Sequence, residues 1–168
     1  MKVFTDGACE NNGETYAVAG YATLIDKKIY SGKLMPYKYK YDKFPRHIMQ
    51  EPIPVTNNRA ELFAIIIALH KTTGDIEIVS DSMYCINTVG KWMDGWAVRG
   101  YFGTDKKKNM DLVEIIYNLR GIRKLTFTHQ VSHVPNPQTE NEIGNDIVDK
   151  KAFAAIKYND YKWRIEEL

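Results

Sequence analysis

Cysteine is scarce in this chain of 168 residues: Cys9 and Cys85 stand far apart, without the close spacing of a zinc knuckle. That scarcity excludes a disulfide framework and points to a reducing, cytoplasmic setting. Long apolar runs are missing too. None approaches the ~18 residues that a membrane-spanning helix requires. The opening Met1-Lys2-Val3-Phe4-Thr5-Asp6 meets charge before a signal-peptide core could form. No repeat and no low-complexity linker divides the sequence, so one domain over 1–168 is expected, monomeric and unattached to membrane. Charge of one sign does not dominate. A formal net charge of +2 neither demands nor excludes a nucleic-acid partner, because placement of charge matters more than its sum.

What is present is a succession of short β-rich and helical segments. Val3 to Thr5 begins a strand that Gly7 and the Asn11-Asn12-Gly13 turn signal are expected to close. Tyr16 to Ile25 and Ile29 to Leu34 read as partners across the Asp26-Lys27-Lys28 turn. Asn57 or Asn58 is the expected cap of a helix reaching about Leu69, and Thr72-Thr73-Gly74 ends it. Ile76 to Val79 is a short apolar strand, and Ser82 caps a helix to about Met93. Asp111 to Leu119 reads as helix, Leu125 to Val131 as strand, and Asn145 to about Tyr158 as a last helix. The order β-β-β-α-β-α-α-β-α favours a mixed sheet with helices on its faces.

Three acids stand at the ends of these elements: Asp6 on the first strand, Glu61 in the first turn of the first helix, and Asp81 just past the strand Ile76–Val79. Singly, each suits a turn or a helix start. Together they can converge beyond the carboxyl ends of the strands, where open α/β sheets place ligands. Clustered carboxylates stay ionised only if a cation compensates them, and hard oxygen donors favour Mg²⁺ over zinc or copper.

Thr5-Asp6-Gly7-Ala8-Cys9, Thr56-Asn57-Asn58-Arg59-Ala60-Glu61 and Ser80-Asp81-Ser82-Met83-Tyr84 resemble, in order, the three leading motifs of type 1 ribonuclease H. The Trp92 and Trp96 region, Lys106 to Asp111, and the closing His133…Asp149 segment continue the resemblance. It implies an α/β, ribonuclease H-like mixed five-stranded sheet, three strands antiparallel and then two parallel, with helices on both faces. It further implies endonucleolytic hydrolysis of the RNA strand of RNA/DNA hybrids, leaving 5′-phosphate and 3′-hydroxyl ends. Two Mg²⁺ ions, with Mn²⁺ as a possible substitute, would stand roughly 4 Å apart on Asp6, Glu61, Asp81 and a fourth acid.

Gly144-Asn145-Asp146-Ile147-Val148-Asp149-Lys150-Lys151-Ala152 resembles the family's Gly-Asn-x-x-x-Asp-x-x-Ala, which makes Asp149 the fourth ligand. Asp146 is the alternative, and the favoured register leaves it an exposed helix residue. A long loop, Val134 to Ile143, follows His133, whose expected role is to carry protons at the site. His129 reads as a half-buried strand residue.

The resemblance places Cys9, Asn11, Asn12, Thr56, Asn57, Asn58 and Met83 against the hybrid, Met83 standing where glutamine is common. A handle at about 91–110 would grip the DNA strand through Trp92, Trp96, Arg99, Lys106, Lys107 and Lys108, although by spacing alone the two tryptophans suit interhelical packing. Residues 36–55 form an extended insert. Its alternation Tyr37-Lys38-Tyr39-Lys40-Tyr41 suits an edge strand, with nucleic-acid contact the alternative. Two rival functions remain at this point: a DNA-acting nuclease of the same fold, and a non-catalytic hybrid-binding module.

Overall fold

A computed structural model of the chain describes residues 1–40 and 51–168. Tyr41 and most of the predicted insert's middle lie outside the described residues. The first three strands, β1 (Lys2–Glu10), β2 (Val18–Ile25) and β3 (Lys28–Lys33), form an antiparallel meander. After helix α1 (Asn57–Lys71), β4 (Ile76–Ser80) returns parallel to β1, and β5 (Leu125–His129) adds in parallel to β4. Between β4 and β5 the chain makes α2 (Met83–Asn87), a π-helical turn (Thr88–Trp92), α3 (Met93–Val98) and α4 (Met110–Arg120). Helix α5 (Glu140–Ala155) follows, and then a short strand, β6 (Arg164–Glu167).

The sheet order is β5-β4-β1-β2-β3-β6, so among the described residues the sheet has six strands rather than the expected five. The sixth, Arg-Ile-Glu-Glu, is exposed along its whole length and carries no period-two apolar signal. Its antiparallel pairing with β3 is therefore set by tertiary position. The Lys151–Glu166 ion pair at 2.7 Å and the stacking of Lys71 over Trp163 at 5.0 Å hold it there.

Alternation along β1 and β2 serves two cores. Val3, Ala19 and Tyr21 face the large cluster built on α1 and α4. Phe4, Ala22 and Leu24 face a smaller one closed by Val148 and Ala152 of α5. Helix α1 is buried from Arg59 to Leu69 and apolar all round from Leu62 to Leu69, as a helix enclosed between the sheet and α4 must be. Both faces of the sheet are thus covered.

Several sequence boundaries need correction. Thr56, not Asn57 or Asn58, caps α1, its hydroxyl accepting from the Arg59 N–H at 3.1 Å. Gly7 does not close the first strand, which runs on to Glu10. Helix α5 begins at Glu140 rather than Asn145, because Thr139 and Glu142 form a reciprocal capping box that the reading overlooked. The loop after His133 is correspondingly shorter. His129 is exposed rather than half-buried, being the last residue of a strand at the sheet edge.

Candidate active site

Three elements deliver the acids. Asp6 sits within β1, opposite Ala22 of β2 and two residues past the last β1–β4 pair, Phe4 with Val79. Asp81 is the first residue after β4, where the Ser80 hydroxyl accepts from the Ser82 N–H at 3.0 Å and turns the chain into α2. Glu61 lies one turn into α1. That helix can approach only because residue 7 is glycine: a Cβ there would stand 2.5 Å from the Glu61 backbone nitrogen. Gly144 plays the same part for α5, since a Cβ at that position would stand 2.4 Å from the Phe4 ring.

Ligand oxygens of Asp6, Glu61 and Asp81 all lie within 4.8 Å of one another. Asp6 and Glu61 are buried and Asp81 half-buried. Burial is the main force raising the Asp6 carboxyl to about 8; a hydrogen bond with Glu61 and the Gly7 N–H offset it in part, while the charges of Asp81 and Asp149 add to it. Glu61 is pushed well above the ordinary carboxyl range by burial and then by the charge of Asp6. Asp81 is raised by burial and by Asp149, against a side-chain hydrogen bond from Asn145 and the nearby His133 and His129. Such mutual opposition is what a compensating cation relieves.

The donor set fits a hard divalent ion. Glu61 Oε2 is buried without a hydrogen-bond partner, an acceptor available in a residue whose carboxylate belongs to the acidic cluster. The nearby Cys85 is fully buried, and burial pushes its thiol up, so it offers no thiolate to attract a softer metal.

Asp149 is not within that tight triad, yet its charge acts on both Asp6 and Asp81. Its carboxylate lies 3.6 Å from His133 Nδ1. Asp146 is turned instead to Lys150, at 2.8 Å. It is half-buried, not the exposed residue expected, because it borders a small pocket with His133, Asn145 and Asp149. His133 itself is exposed and holds a left-handed backbone with φ 57°.

The polar residues assigned to the hybrid fall into two groups. Asn12 Oδ1 accepts from the Asn57 N–H at 3.0 Å, joining the β1–β2 turn to Thr56, Asn57 and Asn58 at the start of α1. Cys9 is half-buried nearby in the chain, while Asn11 and Met83 are exposed. In the handle, Trp96 is buried in the large core and Trp92 is exposed, with ring centroids 5.9 Å apart. Packing and an outward-facing ring therefore coexist. Arg99, Lys106, Lys107 and Lys108 are all exposed.

Two features escaped the sequence reading. Asn145, the asparagine of the Gly-Asn motif, is buried beside Asp81 with its Oδ1 unpartnered. Arg59 forms a buried fork with Asp111, its Nη1 and Nη2 each 2.9 Å from a carboxylate oxygen. Its one sequence signal is an arginine two residues before Glu61 in a helix that is apolar beyond them to Leu69.

A family model described as RNase H matches residues 1–157. The chain belongs to the RNase H family. Its relatives include ribonuclease H of Rhizobium johnstonii, 30% identical over 154 residues that cover 89% of each chain. Ribonuclease H of Schizosaccharomyces pombe is 32% identical over 157 residues, covering 89% of this chain and 50% of that one. Among solved structures, the prototype foamy virus (PFV) RNase H domain aligns with TM-score 0.59 and 22% identity over 92% of each chain. LC11-RNase H1, solved in complex with RNA/DNA hybrid, aligns with TM-score 0.57 and 17% identity, covering 92% of this chain and 95% of that one. Membership makes the chain a hydrolase of the ribonuclease H kind. Among the described residues no helix is long and apolar enough to cross a membrane.

Proposed function

We propose that this RNase H family enzyme cuts the RNA strand of RNA/DNA hybrids endonucleolytically, leaving 5′-phosphate and 3′-hydroxyl ends. The observation that carries the reading is the convergence of Asp6, Glu61 and Asp81 from three separate elements to within 4.8 Å. The structure of LC11-RNase H1 with a hybrid supports the substrate class. Asp6, Glu61, Asp81 and Asp149 would hold two divalent ions, Mg²⁺ or Mn²⁺. Such a pair supplies positive charge to the scissile phosphate and to the attacking and leaving oxygens of an in-line displacement.

The remaining work belongs to the chain. Asp6, whose carboxyl burial raises to about 8, would have to give up its proton to serve as an anionic ligand. Asn145 holds the Asp81 carboxylate in place. His133, exposed beside Asp149, takes and returns protons, an accelerating role of about 10²–10⁴-fold rather than an absolute requirement. Cys9, Asn11, Asn12, Thr56, Asn57, Asn58 and Met83 meet the wide minor groove, where the 2′-hydroxyls identify RNA. Trp92, Arg99 and Lys106 to Lys108, in a handle at about 91–110 of a single domain, position the DNA strand through its backbone, while the buried Trp96 anchors the handle to the core.

The test is cleavage of end-labelled hybrid, duplex DNA and duplex RNA, each with Mg²⁺ and with chelator. Cleavage confined to the RNA of the hybrid and abolished by chelator is expected, as is loss of turnover with retained hybrid binding in Asp6→Ala. Cleavage that survives chelation, or that is equal on duplex DNA, defeats the proposal.

A further inference from the structure

An open groove of about 1080 Å³ lies beside the carboxylates rather than over them. Its floor is the start of α1, Thr56-Asn57-Asn58, with Asn12 bound to it. Glu61 is one helical turn further along, about 5 Å of rise. One wall is the loop before α4, bearing Lys107 and Lys108. The other comes from the chain on either side of residues 41–50 and bears Lys38 and Lys40.

That second wall is built onto the fold. Lys38 N–H donates to Glu51 O and Ile53 N–H to Pro36 O, both at 3.0 Å, so the two arms of the insert pair around the Tyr37–Pro52 bridge. The Tyr39 N–H donates to Asp111 Oδ2 at 2.9 Å, and Arg59 Nη2 to Tyr37 O at 3.4 Å. The same Arg59 reaches Asn109 Oδ1 at 3.4 Å, on the opposite wall. The buried Arg59–Asp111 pair therefore fixes both walls to the helix that carries Glu61.

The two charges of that pair cancel, which leaves Lys38, Lys40, Lys107 and Lys108 against Asp105 and Glu114. The Lys38–Glu51 pair, 3.2 Å long with its Glu51 end exposed to solvent, competes weakly for one of the four. An excess of ammonium groups on facing walls, over a floor of amides and a hydroxyl, is complementary to a phosphodiester backbone. We infer that the insert makes this a two-walled groove that seats the backbone of one strand of the hybrid next to the cleavage site, with Lys38 and Lys40 contacting its phosphates. The inference rests on hybrid cleavage as the activity of the carboxylate centre. It enlarges the footprint on the substrate without adding any group to the chemistry.

The experiment measures hybrid affinity of the full chain in chelator across a series of salt concentrations, for wild type, Lys38→Ala/Lys40→Ala and Lys27→Ala/Lys28→Ala. The last pair removes equal charge from the exposed β2–β3 turn. Each phosphate contact contributes about 0.9 to the slope of log affinity against log salt. The Lys38/Lys40 variant should therefore lose up to about two units of slope, and the Lys27/Lys28 variant none. A slope unchanged at Lys38/Lys40, in a variant whose thermal melt matches wild type, overturns the groove while wild-type cleavage leaves the activity standing. An equal loss in both variants reduces the effect to net charge and also overturns it. If wild type neither binds nor cleaves hybrid, the activity itself fails, and the groove falls with it.

Discussion

Asp6 shows how a single side chain can be unfavourable for the fold and still suit the chemistry proposed for it. Its carboxyl titrates at 3.8 ordinarily and at about 8 here, chiefly because it is buried. The folded protein therefore binds that proton more tightly than the unfolded chain does. The associated stability is complete below about pH 4 and is lost as pH rises through about 8. Glu61 and Asp81 are shifted in the same direction. In metal-free protein the melting temperature should fall as pH is raised over this range. Asp6→Asn should make the fall shallower, and Mg²⁺ should restore stability to wild type alone. A wild-type melt that stays flat over these pH values, without metal, would show that the acids do not oppose one another. Asp149 and Asp146 separate at the same scale. Asp149 acts on Asp6 and Asp81, whereas Asp146 is paired with Lys150. Single-turnover rates should fall by about 10²-fold or more in Asp149→Asn, the order of loss from a misplaced reacting geometry. Asp146→Asn should stay within a few-fold of wild type, and the reverse order would reassign the fourth ligand.

Among the elements, α1 matters most because it brings Glu61 to β1 and begins with Asn57 and Asn58, residues proposed to meet the hybrid. Its approach to the sheet rests on Gly7, against which the Ala60 carbonyl carbon and the Glu61 nitrogen would meet any Cβ at 2.7 and 2.5 Å. Both are backbone atoms and cannot rotate away. Gly7→Ala should displace α1 from β1, cost several kcal/mol as overpacking against backbone does, roughly 1–3 or more, and reduce turnover at temperatures where the variant is still folded. Calorimetry and hybrid cleavage measured together check this; unaltered turnover would mean that the spacing of Asp6 and Glu61 is not critical. Much about the elements was readable in the chain. The Ser82 cap, the Thr72 end of α1 and the apolar β4 all follow from local chemistry. The early start of α5 was readable too, in Thr139 and Glu142, but the Pro135 and Pro137 signals drew attention to a loop.

Across the whole molecule, the acids gather where β4 ends beside the middle of β1, while β6 adds to the far edge of the sheet. The tail that carries β6 also sets Trp163 beside His70 and Lys71 of α1. Removing residues 159–168 should lower the melting temperature, by about 2–4 °C for each kcal/mol lost in a chain of this size. Hybrid cleavage well below the melt should persist. Loss of cleavage in a truncated chain that remains folded would place the tail in the working site.

The sequence by itself determined the order of the elements, the two-sided apolar alternation of the central strands and the identity of the acids, because each is written in local pattern or short motif. Only the tertiary structure decided which of those acids meet, how far their proton affinities rise and that a sixth strand closes the sheet edge. Those properties come from burial and from distances between residues remote in the chain: a carboxylate's charge costs little in water and much in a shared pocket. The Arg59–Asp111 fork is of the same kind, since neither residue carries a local signal of the other and their pairing exists only after α1 and α4 have packed.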